Sequence, residues 1–324
     1  MPFPSDFGTG VKMIKRQKQR KKLDKDDKIL YIVLMAWPIL QFFIFYICVN
    51  FNSILLSFEK IDMAASPAKT YFSFGYFTDN LKTFFSRVNI VGDEFKNMLL
   101  TSLGACGIFI VVSIPLQLLF SYYIGRKYVG SNFFRVLLFM PSIISTIVIT
   151  PLFKYFVSDA LPVMMKDWFG METSGDLLYN AKTIFPTIMF FNIWLGFGTS
   201  VLMYSNVVGE ISPEVIDASK IDGASPFEEF IHVVMPAVYP TMTVFVVTTV
   251  AGVFTNQIGL LDFYGTNSSV TTVGYVLYVM TETASSNLAD YPSLSAFAVL
   301  LTIITIPLTL LVKYLMEKFG PSED

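Results

Sequence analysis

Six long apolar runs constrain this chain more than any other feature. They lie at about residues 29–56, 98–124, 134–156, 183–208, 236–261 and 293–315. A helix needs about 20 mostly apolar residues to cross the hydrocarbon core of a bilayer, and each run is long enough. In lipid every backbone N–H and C=O must be bonded within the segment, so such runs form helices. A membrane barrel would instead alternate apolar and polar residues. Only 15% of the residues are charged and 53% are hydrophobic, whereas a soluble domain carries about a quarter charged. The expected fold is an all-α integral membrane protein: six transmembrane helices within residues 29–320, preceded by a tail at 1–28. Cys48 and Cys106 fall inside the runs and read as small apolar side chains rather than a disulfide or metal pair.

Charge placement predicts orientation. Residues 12–28 carry Lys12, Lys15, Arg16, Lys18, Arg20, Lys21, Lys22, Lys25 and Lys28 directly before the first run. Basic flanks stay in the cytoplasm and lie well on anionic lipid. The first run is too long for a signal-peptide core, so it reads as an uncleaved anchor. Six crossings then return the C-terminus to the cytoplasm, with Arg126, Lys127, Arg135, Lys313 and Lys318 on the inner side. This is the pattern of a multi-pass membrane protein with both termini in the cytoplasm. One inner loop departs from it: Glu210, Glu214, Asp217, Asp222, Glu228 and Glu229 stand against only Lys220. Acidic residues weigh little in orientation, so the loop stays inside, with a role of its own.

That loop, residues 211–236, reads as helix, turn, helix. Ser212-Pro213 is an N-cap followed by proline at the first helical position, where a missing N–H is harmless. Asp222-Gly223 is a stop, because glycine accepts the left-handed conformation. Ser225-Pro226 with Glu228 three residues on is a capping box. Pro236 is expected to mark the entry to the fifth span. Val215, Ala218 and Ile221 share one face of the first short helix, and Phe227, Phe230, Ile231 and Val234 one face of the second. Nucleic acid is not a partner, since phosphate would repel so acidic a segment.

This segment resembles the EAA motif of ABC-importer permeases, in the maltose-type, multiple-sugar branch that works with binding proteins. The pattern P-x-x-x-x-E-A-A-x-I-D-G-A is matched by Pro213, Asp217-Ala218-Ser219, Ile221, Asp222, Gly223 and Ala224, followed by Met235-Pro236. The departures are Asp217 for Glu, Ser219 for Ala and Met235 for Leu. Further segments fit the same branch: Asn52 to Phe58, Gly75 to Leu81, Phe134-Arg135 with Phe139-Met140-Pro141, Asn192-Ile193-Trp194-Leu195-Gly196, and Tyr291 to Leu301. Gly265-Thr266-Asn267 stands where the family has G-G-P. The resemblance implies that the loop couples the permease to an ATPase through Asp217, Ala218, Ser219, Asp222, Gly223, Ala224, Phe227 and Phe230. It also implies a second homologous permease subunit, two ATPase subunits that hold ATP and Mg, an extracytoplasmic solute-binding protein and a sugar substrate. No cofactor or catalytic step is expected on this chain.

The energetics agree. The spans as drawn hold essentially no ionisable side chain, with Lys154 and His232 at ends, which argues against a proton relay. The sequence has no G-x-x-x-x-G-K-[ST], the loop that would cradle a nucleotide phosphate. Energy then comes from another chain, unless flow is passive. A channel or single-chain carrier, or a membrane scaffold, are the competing classes, and the docking loop separates them.

A neutral sugar is held by amides, hydroxyls and apolar surface. Ser142 and Thr146, four apart, are expected to share a face of the third span. Asn192, Leu195, Gly196 and Thr199 do so on the fourth, and Thr249, Val253 and Asn256 on the fifth. By resemblance these positions hold the sugar in the maltose branch, and here they carry fewer rings. Small and hydroxyl residues also mediate helix–helix contact in membranes, so both readings stay open for each of them.

Overall fold

The computed structural model describes residues 25–63, 69–88, 94–170, 176–285 and 287–321. The basic tail up to residue 24 lies outside them. Six helices are long and apolar enough to span a membrane: Ile29–Leu56, Phe95–Gly125, Thr146–Phe169, Ile184–Gly209, Pro226–Ala251 and Leu288–Phe319.

The chain divides into two compact units, residues 1–53 and 54–324. The first contributes one described helix, which runs from Lys25–Gln41 through a wide turn at Phe42–Cys48 into Val49–Leu56. None of its span is buried.

The second unit holds the other five spans. The fourth is its centre, with 33% of its apolar window buried, the largest share of the six. Phe191, Phe197, Val201, Tyr204 and Val208 on it meet three separate apolar clusters. A short helix, Ser131–Ile143, packs against it. A Cβ on Gly198 would sit 2.2 Å from the carbonyl oxygen of Leu138, so backbone meets backbone there, as small residues allow between membrane helices. Outside the spans stand a two-stranded antiparallel hairpin, Glu59–Asp62 with Lys69–Phe72, and the helices Tyr76–Val88 and Val273–Ala284. Phe84 on the first of these stacks on Phe297 of the sixth span, ring centroids 3.9 Å apart. Arg87 beside it reaches Asp290 at 2.6 Å, and that hydrogen bond raises the guanidinium pKa above its ordinary value.

Among the described residues of the second unit, three helices contain such a wide turn, at Phe109–Ser113, Phe156–Ala160 and Phe230–Val234. Each wide turn ends two residues before a proline: Pro115, Pro162 and Pro236. Proline has no N–H to donate and its ring collides with the carbonyl four residues back. Widening the preceding turn moves that carbonyl away, so the helix continues instead of breaking.

Two spans therefore differ from the sequence expectation. The fifth does not begin at Pro236. The helix starting at Pro226 runs through the wide turn without interruption, and it ends at Ala251 rather than near 261. Beyond it the chain turns through Ile258 and Gly259, both at positive φ (47° and 71°). The third span is not a single helix over 134–156. The helix Ser131–Ile143 stops, Ile144 and Ser145 are extended (ψ 132° and 138°), and the span restarts at Thr146. Pro141 donates no N–H, and Ser142 Oγ turns back onto the carbonyl of Phe139 at 2.7 Å, which leaves the last turn weakly held. At about 1.5 Å per residue the 13-residue helix is ~20 Å long, too short to span alone. The new register places Lys154, which the sequence reading had at an end, inside the third span, together with Asp159, Lys166 and Asp167 from beyond the predicted run. Lys154 donates to the carbonyl of Phe263, and its ammonium lies 5.8 and 5.7 Å from the ring centres of Phe263 and Tyr264, a cation–π setting that offsets part of the desolvation cost.

Candidate functional site

Two features make up the site: a small crevice among the spans, lined by apolar groups with a few amides and hydroxyls, and the helix–turn–helix at residues 212–229.

The crevice is about 150 Å³, lined by Phe109, Ser113, Ile114 and Gln117 of the second span, Asn192, Ile193, Gly196 and Ser200 of the fourth, and Phe245 and Thr249 of the fifth. A smaller recess of about 20 Å³ continues it past Thr249 to Gly252, Val253, Asn256 and Ser102. Of the nine sequence-predicted solute residues, Asn192, Gly196, Thr249, Val253 and Asn256 meet here. The other four line neither recess. Ser142 and Thr146 lie on opposite sides of the break at 144–145, so they share no helix face. Leu195 packs against the cluster around Ile149, Phe153 and Phe191, and Thr199, seven residues on from Asn192, is exposed.

The bonding of the lining residues decides what remains for a ligand. Asn192 uses its amide hydrogens on the carbonyls of Ile188 (2.8 Å) and Ile258 (2.7 Å). Asn256 accepts from the Ile258 N–H at 2.8 Å. Together they hold Ile258, a β-branched residue at φ 47°, in a conformation that costs about 1–3 kcal/mol unless its surroundings enforce it. Thr249 donates to Phe245 O at 2.8 Å. The lining thus holds amide and hydroxyl groups of both donor and acceptor kind, which suits a ligand rich in hydroxyls. Gln117 and Ser113 were not anticipated from the sequence. Gln117 is buried and donates to Ser113 Oγ at 2.8 Å. An amide in an otherwise apolar run, one turn from a serine, was the available signal.

The helix–turn–helix forms as its capping residues dictate. Ser212 caps Pro213–Ile221, Gly223 turns at φ 84°, and Ser225 with Glu228 makes both bonds of the capping box (2.7 and 3.3 Å). The Ser212 hydroxyl bond lowers the pKa of Glu214 below its ordinary value. The structure shows which side of each short helix is buried. Ile216 is the buried anchor of the first helix, while Val215 and Ile221 are 50% and 86% exposed. On the second helix Phe230 and Val234 pack inward, and Phe227 is 68% exposed. Asp217 pairs with Lys220 at 3.1 Å on the surface, and Ser219 bonds back to Ile216 O. The unforeseen residue is Glu229. It is buried, and its carboxylate lies 2.7 Å from Nε of Arg126 and accepts from Tyr122 at 3.2 Å. Tyr122 also meets Phe230 edge-on, centroids 5.5 Å apart. Removing one partner of a buried pair costs about 3–5 kcal/mol.

Comparison with known proteins fits this geometry. The fold is similar to that of a bacterial ABC transporter involved in the import of the acidic polysaccharide alginate (TM-score 0.73, 18% identity, 92% of this chain and 98% of that one). In sequence the chain is 27% identical over 171 residues to the multiple sugar-binding transport system permease protein MsmF of Streptococcus mutans, covering 52% of this chain and 59% of that one. It is 27% identical over 228 residues to the arabinooligosaccharides transport system permease protein AraP of Halalkalibacterium halodurans, covering 68% and 67%. The first match thus spans less than two thirds of its relative's length. Residues 113–323 match the family of binding-protein-dependent transport system inner membrane components. That stretch holds the crevice-lining parts of the fourth and fifth spans and the whole helix–turn–helix, and this multi-pass membrane chain belongs to that family.

Proposed function

We propose that this chain is the permease subunit of an ATP-driven importer of neutral saccharides, most simply oligosaccharides, and supplies half of the translocation pathway. The observation that carries the reading is the exposed apolar face of the helix–turn–helix. Val215, Ile221 and Phe227 stand in solvent-accessible positions while the opposite side is pinned by Ile216, Glu229 and Phe230. Burying a side chain of this size is worth about 1.5–3 kcal/mol, and a rigid apolar turn of this kind is a surface for another protein. In this reading ATPase subunits dock there, holding ATP and Mg, from the cytoplasmic side where both termini also lie. The coupling residues are Asp217, Ala218, Ser219, Asp222, Gly223, Ala224 and Phe227, with Phe230 acting from behind by fixing the turn to the bundle.

The crevice supports the rest. Its lining offers amides, hydroxyls and apolar groups without a charged side chain. Its ~150 Å³ falls short of the roughly 300–1,000 Å³ of a typical ligand pocket, which is consistent with a second, homologous permease subunit completing it. Asn192, Gly196, Thr249, Val253 and Asn256 are the proposed solute-side residues, joined by Ser113 and Gln117. A solute-binding protein outside the membrane would deliver the sugar.

The test is to purify the intact assembly from its native membrane and measure ATP hydrolysis against a panel of oligosaccharides with candidate binding proteins. The reading predicts an ATPase at fixed stoichiometry and saccharide-dependent stimulation. Ile221→Asp should strip the ATPase from the complex without unfolding this chain. An assembly that contains no nucleotide hydrolase contradicts it.

A further inference from the structure

The second span carries two features at once. At its end Tyr122 and Arg126 hold Glu229, the buried acid on the helix that begins at Pro226. About two turns back along the same rod Gln117 and Ser113 line the crevice, Gln117 lying ~13 Å from Arg126 at 1.5 Å per residue. Ser121, between them, bonds the carbonyls of Gln117 (2.5 Å) and Val201 (3.1 Å) and so ties this rod to the fourth span. The helix from Pro226 reaches the crevice by a second route, because it is continuous with the fifth span, which carries Phe245 and Thr249 and ends at Ala251.

We infer that the Arg126–Glu229 pair is a clamp that makes the 226–234 helix move as one body with the second span, so that displacement of the loop reaches both the second- and fifth-span walls of the crevice. Arg126 and Glu229 are positioning residues for transport and touch no solute. This rests on the reading that an ATPase docks on the loop. Without the clamp, a pull on the loop would shift the fifth span through the covalent chain and leave the second behind. The half-bundle would then shear internally instead of rocking as a unit. Burial suits the pair to such a role. The two side chains are 17% and 5% exposed, so the contact is little screened by salt. A guanidinium has a fixed fork and sets direction as well as charge. A surface pair such as Lys220–Asp217, 57% and 67% exposed, would do neither.

The experiment uses the co-purified assembly in lipid nanodiscs, with Cys48 and Cys106 replaced by serine and Ser200→Cys as the crevice reporter. The readouts are ATP hydrolysis and the maleimide-labelling rate of that cysteine with and without ATP and vanadate. In the clamped assembly ATP and vanadate should change labelling by about fivefold or more, the scale of an ordinary coupling free energy. Arg126→Met and Glu229→Gln should keep the ATPase bound and hydrolysing while the labelling change disappears. Arg126→Lys, which keeps the charge but loses the fork, should respond in between. Single variants that retain the full labelling change overturn the clamp. Should the neutral variants fail to assemble, Arg126→Lys decides: an intermediate response supports the clamp, and an undiminished one overturns it. An unsubstituted assembly with no bound ATPase overturns the parent reading, and the clamp with it.

Discussion

Single side chains here act by fixing backbone as much as by facing a ligand. Asn192 is the clearest case, since its two donor bonds hold the turn at Ile258. Asn192→Leu should therefore lower uptake even of a solute that never touches the amide, and should speed hydrogen exchange at residues 256–259. Unchanged exchange would place its whole effect on the solute. Gly198 is constrained by space, since any Cβ would enter the backbone of Leu138. Gly198→Val is expected to destabilise the detergent-solubilised chain by about 1–3 kcal/mol, the cost of overpacking, read as a lowered thermal midpoint. Tyr264, outside the spans, donates to Leu178 O at 2.6 Å. Burial, with Tyr179 and Asp176 nearby, pushes its pKa from 10.0 up to about 12. A raised pKa contributes stability that is complete below pH ~10 and lost as pH rises through about 12. Tyr264→Phe should remove one late-titrating phenol from the alkaline absorbance curve and flatten stability across that window.

Elements show which kinds of information the sequence carried. The helix–turn–helix was legible to the residue because caps act locally: Ser212, Gly223 and Ser225–Glu228 do what their side chains dictate. The number of spans was legible because length and hydropathy bound it. The break at Ile144–Ser145 was not, because a run of apolar residues looks the same whether its helix continues or stops. Nor was the continuity through Pro236, because the wide turn that rescues the proline has no compositional signature. Which side of the short helices is buried was not legible either, for a related reason. Val215, Ala218 and Ile221 form an apolar stripe, yet Ile216 faces inward, and periodicity alone cannot tell a face meant for the bundle from one meant for a partner. Glu229 is the same problem in charge: an acidic run reads as solvated until Arg126 is found against it. At this scale Gly223 gives a sharp prediction. Its φ of 84° costs a β-branched residue about 1–2 kcal/mol, so Gly223→Val should distort the turn and weaken ATPase retention, whereas Gly223→Asn should be milder.

As a whole, the molecule joins a bundle that has no phosphate-binding loop of its own to an exposed apolar turn rigidly carried by its helices. The small crevice suits a subunit whose pathway is completed by another chain. The most direct measurement is site-specific crosslinking from Ile221→Cys, 86% exposed in the native chain, in right-side-out and inside-out vesicles of the native membrane. The expected result is an adduct with a nucleotide-hydrolysing protein, and labelling by an impermeant maleimide only in inside-out vesicles. Labelling only in right-side-out vesicles, or adducts confined to proteins that bind no nucleotide, would contradict a docking role for this turn.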